Sequence, residues 1–407
     1  EILRCLVGSE MCIRDSSYGI NGNVNGIGNY DVYGIYDKQT AYNGTTGILN
    51  TGVINSKLKW EKSKSFELGL DLGFLDNRYN LILDYYNRTT SDLLTNVNLP
   101  GYTGFDSFKT NLGSLRNTGF EVEGNLSLIR NPKGFNWDFS FNASLVHNKI
   151  IKLPYNGNEN NRQGGTQVFD PKTQQVIWVG GYQEGQRPGD LYMFVAEGIY
   201  RSEDEIPGGL IDLSSGNNGS SNRPLYGGEE GYNKLTANQK ANSLRIQPGD
   251  VKWKDVNGDG IIDNYDMVKV GNTVPKWTGG INTSVTWKDL TLSARFDYAL
   301  GFKAVDWKTM WIMSCAQGTY NTIAETHDTW SPENPGAQYP TYVWADQLGK
   351  RNYCRQSSMF AYNGNYLSFR EIALSYNLPS NWVRKAGLGS VCLLYTSPSP
   401  RDISGSR

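Results

Sequence analysis

Several stretches of this chain alternate apolar and polar residues for about ten positions and come in pairs joined by very short turns. Successive side chains of a β-strand point to opposite faces, so such alternation predicts strands with one greasy and one wet face. Phe66, Leu68, Leu70, Leu72 and Phe74 stand against Glu67, Gly69, Asp71 and Gly73. After a turn at Asp76 and Asn77 come Tyr79, Leu81, Leu83 and Tyr85, opposed by Asn80, Asp84 and Tyr86, with Ile82 the one apolar exception. A second pair runs from Phe120 to Leu128 and, past Asn131-Pro132-Lys133-Gly134, from Trp137 to Leu145. A third joins Ile281, Val285 and Trp287 through Lys288-Asp289 to Leu290, Leu292, Ala294, Phe296, Tyr298 and Leu300.

A soluble β-sandwich and a transmembrane barrel both alternate, and the connections separate them. Barrels of the outer-membrane type place short turns at one end and long loops at the other. Here short turns alternate with long connections, at about Arg88 to Arg116, Lys149 to Trp277 and Gly301 to Gly364. These exceed the usual few residues of a compact domain. Aromatics near the expected strand ends (Phe74, Tyr85, Trp137, Trp287 and Tyr298) suit an interfacial girdle. The reading is therefore all-β: part of a transmembrane antiparallel β-barrel with long extracellular loops. Between Tyr366 and Tyr376 the alternation slips phase, since Leu367 and Phe369 belong to one phase and Ile372, Leu374 and Tyr376 to the other, which predicts a bulge.

Composition fits. The chain has net charge −1, 19% charged residues, 46 glycines, 25 tyrosines and 11 tryptophans. No apolar run is long enough for a membrane helix, and the near-neutral balance offers no basic patch for nucleic acid. The two ends are set apart. Residues 6–16, LVGSEMCIRDS, and 392–402, CLLYTSPSPRD, back-translate to the two complementary strands of one DNA sequence resembling a transposase sequencing adapter. Residues 1–16 and 392–407 are accordingly expected to be adapter-derived, with the native stretch at 17–391. Three of the five cysteines fall in those ends, leaving Cys315 and Cys354, whose pairing an oxidising compartment would allow.

The sharpest local motif is DVNGDGIIDNYD. It places oxygen donors at loop positions 1, 3, 5, 9 and 12 (Asp255, Asn257, Asp259, Asp263 and Asp266), with the Ile261 carbonyl at position 7 and Gly260 at the bend. This is the spacing of a calcium loop, expected as a structural staple, although it ends in Asp rather than Glu and lacks flanking amphipathic helices. The alternative is a metal-free cluster of Asx turns. Catalytic groupings are thin: His147 and His327 have no partner at ligand spacing, and no nucleophile elbow, P-loop or dinucleotide fingerprint occurs. An enzyme is not expected.

Five segments in order carry a family resemblance: Ser17 to Asn23, Leu58 to Leu94, Leu99 to Gly124, Pro248 to Gly280, and Tyr362 to Pro379 (YNGNYLSFREIALSYNLP). Together they resemble the later half of the SusC/RagA family of TonB-linked outer-membrane proteins. The resemblance implies the later half of a 22-stranded TonB-dependent transporter barrel. It places the plug and the TonB-interacting segment outside this stretch and implies a SusD-like surface lipoprotein as lid, the TonB complex as partner and outer-membrane lipid as surroundings. Import of oligosaccharides or peptides would follow, without catalysis. Ser368 departs from the family, which often carries a basic residue there.

Tyr182, Tyr192, Trp253, Trp307, Trp311 and Trp344 are the candidate substrate-binding aromatics, since loop aromatics can stack on sugar rings; each has the alternative of packing within its own loop. Two further readings remain open, a siderophore or vitamin receptor of the same architecture and a secreted carbohydrate-binding sandwich.

Overall fold

The computed structural model describes residues 3–397 apart from 8–9, 29–30, 34–35, 43, 51, 132–133, 215–222, 315–320, 345, 347–348 and 386. Ten antiparallel strands form one continuous meander, each hydrogen-bonded to its neighbour in the sheet order. Numbered along this sheet they are β1 (Leu3–Val7), β2 (Glu10–Asn23), β3 (Glu61–Phe74), β4 (Tyr79–Asn98), β5 (Ser107–Ile129), β6 (Phe135–Lys152), β7 (Trp277–Trp287), β8 (Leu290–Leu300), β9 (Tyr366–Asn377) and β10 (Cys392–Thr396). The residues set apart in the sequence, 3–16 and 392–396, lie at the two edges of the sheet.

The three expected hairpins are present, and register explains why the alternation was so clean. One apolar row crosses seven strands as Leu72, Leu81, Gly124, Phe141, Ile281, Phe296 and Phe369. The adjacent row on the other face reads Asp71, Ile82, Glu123, Asn142, Gly280, Asp297 and Ser368. A one-residue slip anywhere would exchange the two faces. The apolar side is open to its surroundings, with Leu68 47%, Leu292 44% and Trp287 57% exposed; an apolar band of this kind suits lipid. Gly279 keeps this face closed: a Cβ there would lie 2.1 Å from the Asn142 carbonyl oxygen and 2.5 Å from the Tyr298 hydroxyl. Tyr298 instead lies across the gap and donates to that carbonyl at 3.1 Å.

The phase slip in β9 is a bulge. Arg295 pairs with Glu371 while Phe296 pairs with Phe369, leaving Arg370 as the extra residue. Its guanidinium forms an ion pair with Asp297, one arm at 2.6 Å, and Phe296 and Phe369 pack with ring centroids 5.1 Å apart.

One expectation is corrected. The connection read as a loop from about Arg88 to Arg116 is mostly strand, because β4 and β5 run for 20 and 23 residues and leave only 99–106 between them. A strand rises roughly 3.3 Å per residue, so β5 is roughly 75 Å long, whereas a membrane needs only about ten residues of tilted strand. Beyond the bilayer both faces are wet, so alternation fades while the hydrogen-bonded ladder continues.

The other long connections, between β6 and β7 and between β8 and β9, fold into a body with its own core. Val168, Val179, Phe194, Tyr200, Leu225, Val251 and Trp253 belong to its largest buried cluster, and Met313, Tyr353 and Phe360 form a second. Four two-residue strands make a small mixed sheet in the first connection, in the order Leu244–Arg245, Leu225–Tyr226, Ile211–Asp212, Ile261–Ile262. The second connection is pinned to the first by backbone bonds, Phe194 N–H to the Gln356 carbonyl at 2.8 Å and Thr341 N–H to the Gly249 carbonyl at 2.9 Å.

Candidate functional site

The polar face of the sheet and the body above it are the two places where a solute can be met. Along β3 to β6 the polar face carries Glu67, Asp84, Arg88, Asn117, Glu121 and Asn148 around an open depression of about 550 Å³. Their alternation with apolar residues puts them on one wall. Arg88 approaches Glu67 at 3.8 Å, and Ser144 donates to Glu121 at 3.1 Å. This is a hydrated wall with net negative character. The amide oxygens of Asn117 and Asn148, neighbours across the β5–β6 ladder, are buried without a hydrogen-bond partner. Sequence reading took Glu67, Asp84 and Glu121 only as part of a wet face and placed Arg88 at the start of a loop, since the pattern shows which residues share a side but not that they surround a depression.

Above this wall the two connections are locked by buried charge. Arg355 donates to Asp212 at 2.6 Å and to the Ser214 hydroxyl at 2.7 Å, with both charged side chains almost fully buried. Its guanidinium carbon lies 4.8 Å from the Trp253 ring centroid. A second contact joins Lys350 to Asp250 at 2.6 Å, and Asn352 donates to the same carboxylate at 3.0 Å. Asp346 accepts from the backbone N–H groups of Asn352 and Tyr353 at 3.0 and 2.9 Å, and burial raises its pKa. None of this was legible in the sequence, because Asp212 and Arg355 are 143 residues apart.

The candidate aromatics divide. Tyr182, Trp307, Trp311 and Trp344 are 59%, 47%, 51% and 73% exposed. Trp307 and Trp311 are four apart on the helix Trp307–Ser314, a spacing that places them on one side. Trp253 is different: it is 6% exposed and packs edge-on to Phe194, so its ring is a core element in this arrangement. Tyr192 is partly buried against the same core, and burial raises its phenol pKa. The six rings do not form one platform. His147 and His327 are exposed. Cys354 is a free thiol that accepts from Arg351 Nε at 3.2 Å, and burial raises its pKa; Cys315 lies outside the described residues.

The 255–266 loop is closed by its own backbone. Asp255 accepts from the N–H groups of Gly258 and Gly260 at 2.7 and 2.8 Å, Asp259 from Ile261 at 2.7 Å and Asp263 from Tyr265 at 2.7 Å. Asn257 is held at position 3 by an N–H bond from Asp259 at 3.2 Å. Asp266, fully buried, accepts from Val256 and Asp263 at 2.7 and 2.8 Å, and burial pushes its carboxyl up to about 6. The bonds to Asn257, Asp259 and Asp263, each from the residue two further on, are Asx-turn bonds. Gly258 and Gly260 both have φ +76°, which suits glycine. Among the described residues no three His, Cys, Asp or Glu side chains gather in a way that could hold a metal ion.

Comparison with known proteins identifies the architecture. Residues 17–391 match the family model described as TonB dependent receptor-like, beta-barrel, and the chain belongs to that family. Two named relatives bring this closer. TonB-dependent receptor P3 of Formosa agariphila is 28% identical over 381 residues, covering 93% of this chain and 33% of the relative. TonB-dependent receptor SusC of Bacteroides thetaiotaomicron is 45% identical over 100 residues, 24% of this chain and 10% of SusC. Among solved structures the RagAB peptide transporter superposes with TM-score 0.64 at 21% identity, covering 95% of this chain and 37% of that one, which supports the fold. The chain spans about a third of the length of P3.

Proposed function

We propose that the intact protein is a TonB-dependent importer of the outer membrane, taking up oligosaccharides or peptides together with a SusD-like surface lipoprotein that covers its outer mouth. The observation that carries this is the pairing of a sheet with an apolar outer face and a hydrated inner face with a folded extracellular body, in a chain of the receptor-barrel family that resembles SusC. The reading is one of capture and passage, without bond making. The exposed rings of Tyr182, Trp307, Trp311 and Trp344 are the side chains we assign to first contact with solute. The test is purification of the intact protein from outer membranes under mild detergent, with uptake followed in cells with and without TonB. Co-purification of a surface lipoprotein and TonB-dependent uptake are expected. TonB-dependent uptake of a metal chelate with no lipoprotein partner would instead support the siderophore or vitamin receptor.

Calcium at the 255–266 loop is the second reading, supported by the ligand spacing and by the neighbouring carboxylates Asp255, Asp259 and Asp263, where burial and, after it, the charges of these neighbours raise the pKa of Asp263 or Asp266. An ion would have to draw these carboxylates off their amides. Calorimetric titration of the intact protein with calcium decides it: saturable heat, lost on chelation, is expected, and its absence removes the metal.

A further inference from the structure

At its loop end the polar face changes character. Moving up β5 and β6 from Asn117 and Asn148, the next residues on that side are Leu115 and Ile150, which pair across the ladder. On β4 Leu93 stands opposite Gly113, two residues further up β5 than Leu115, and the first connection contributes Leu153, Tyr182 and Pro188. Together they line a cavity of about 360 Å³ whose surface is mainly aliphatic. Gly113 keeps its floor open, since a Cβ there would lie 2.9 Å from Leu93 Cβ and 3.2 Å from Thr95 Cγ2.

We propose that this cavity is a subsite for an apolar side chain of a peptide. The inference rests on the importer reading and narrows its solute. First, the position is on the inner wall and not the lipid face, so lipid does not account for an apolar lining. Second, the lining is left as an open cavity, whereas the neighbouring core of the body is packed, and its volume falls in the range of ligand sites. Third, the lining is wrong for a sugar. Sugar rings are held by flat aromatic faces with dense polar contacts, and here branched aliphatic groups stand with a single tyrosine. Fourth, Thr95, Asn96, Lys152 and Gln163 form a polar margin, which suits the amide groups either side of a buried side chain.

The test uses the intact protein with its lipoprotein in detergent and three probes: an acetylated Ala-Leu-Leu-Ala peptide, its Gly-Ser counterpart and maltohexaose. The leucine peptide is expected to bind at least about tenfold more tightly than the Gly-Ser peptide, a ratio that Leu115→Asp and Tyr182→Asp abolish and Leu115→Met keeps. Tyr182 is the safer variant for folding, because its bonds to Gln163 are made by backbone atoms. The proposal is overturned if the two peptides bind alike, if neither binds, if both Asp variants keep the ratio, or if maltohexaose binds and loses affinity in the same variants. It is also overturned if a Tyr182→Cys thiol is shielded from reagents before any peptide is added, which would mean that another segment of the protein fills the cavity. TonB-dependent uptake without any leucine preference would remove the subsite and leave the importer standing.

Discussion

The sheet and the extracellular body solve the same problem in opposite ways. In the sheet the backbone bonds are made between neighbouring strands and the large apolar side chains face outwards, with Trp287 and Leu292 far from buried. In the body the apolar groups turn inwards around Phe194, Tyr200 and Trp253, and charged groups are buried with them. The sheet relies on a solvent that will accept its surface. The body depends on side-chain contacts between distant segments, such as Arg355 on Asp212.

This contrast can be broken at its most vulnerable point. Removing the Arg355 guanidinium leaves Asp212 charged and buried, a loss of about 3–5 kcal/mol for such pairs. Arg355→Ala should therefore open both connections to limited proteolysis and fast hydrogen exchange while β3 to β8 keep their protection. Equal loss of protection in the strands would show that the two regions do not fold independently. The reverse experiment charges the sheet. Ile281→Arg, in the middle of the apolar row, should cost about 2–4 kcal/mol of folding in lipid, whereas Ser144→Arg on the wet face should cost little. Similar losses from the two substitutions would show that the faces have been assigned wrongly.

Smaller effects sharpen the picture within the body. Asp266→Asn replaces one of two accepting oxygens by an amide NH2, leaving the Val256 or the Asp263 N–H without its acceptor, and should cost about 1–2 kcal/mol, read as faster exchange at Val256 or Asp263. An unchanged exchange rate would mean that the loop does not depend on those bonds. Lys234→Ala removes an exposed partner of Glu230 one helical turn away, 3.3 Å distant, and should change stability by less than about 0.5 kcal/mol. A larger change in a thermal melt would mean that the bond from Lys234 Nζ to the Gly209 carbonyl at 3.1 Å carries more than the ion pair.

How much of this was readable depends on the same division. In the sheet each residue's environment is set by its parity, so Phe66 to Tyr86 and Ile281 to Leu300 disclosed their strands, turns and faces, and the phase slip disclosed the bulge. Where β4 and β5 leave the membrane that rule lapses, and Arg88 to Arg116 looked like a loop. In the body no local rule applies. Its strands are as short as two residues, and its core is gathered from Val168 to Met267. Trp253 could not be told from an exposed tryptophan, because what hides it is Phe194 on one side and Arg355 on the other. The 255–266 loop showed the donor spacing of a metal site in the sequence, while the structure shows what those oxygens now hold. The cavity below Tyr182 was out of reach for a further reason: Leu115 and Ile150 matter there because they interrupt a polar series, and that series exists only across strands.

Arg370 shows how a barrel counts. In a strand whose neighbours are already fixed, a change of residue alters one place on one face, but a change of length by a single residue exchanges inside and outside for everything beyond it unless a bulge takes it up. Ile372, Leu374 and Tyr376 face outwards only because one residue before them stands out of line. At this point the strand absorbs one residue more than plain alternation allows: without the Arg370 codon, Phe369, Ile372 and Leu374 would fall into a single phase and the apolar row would stay outside with no bulge.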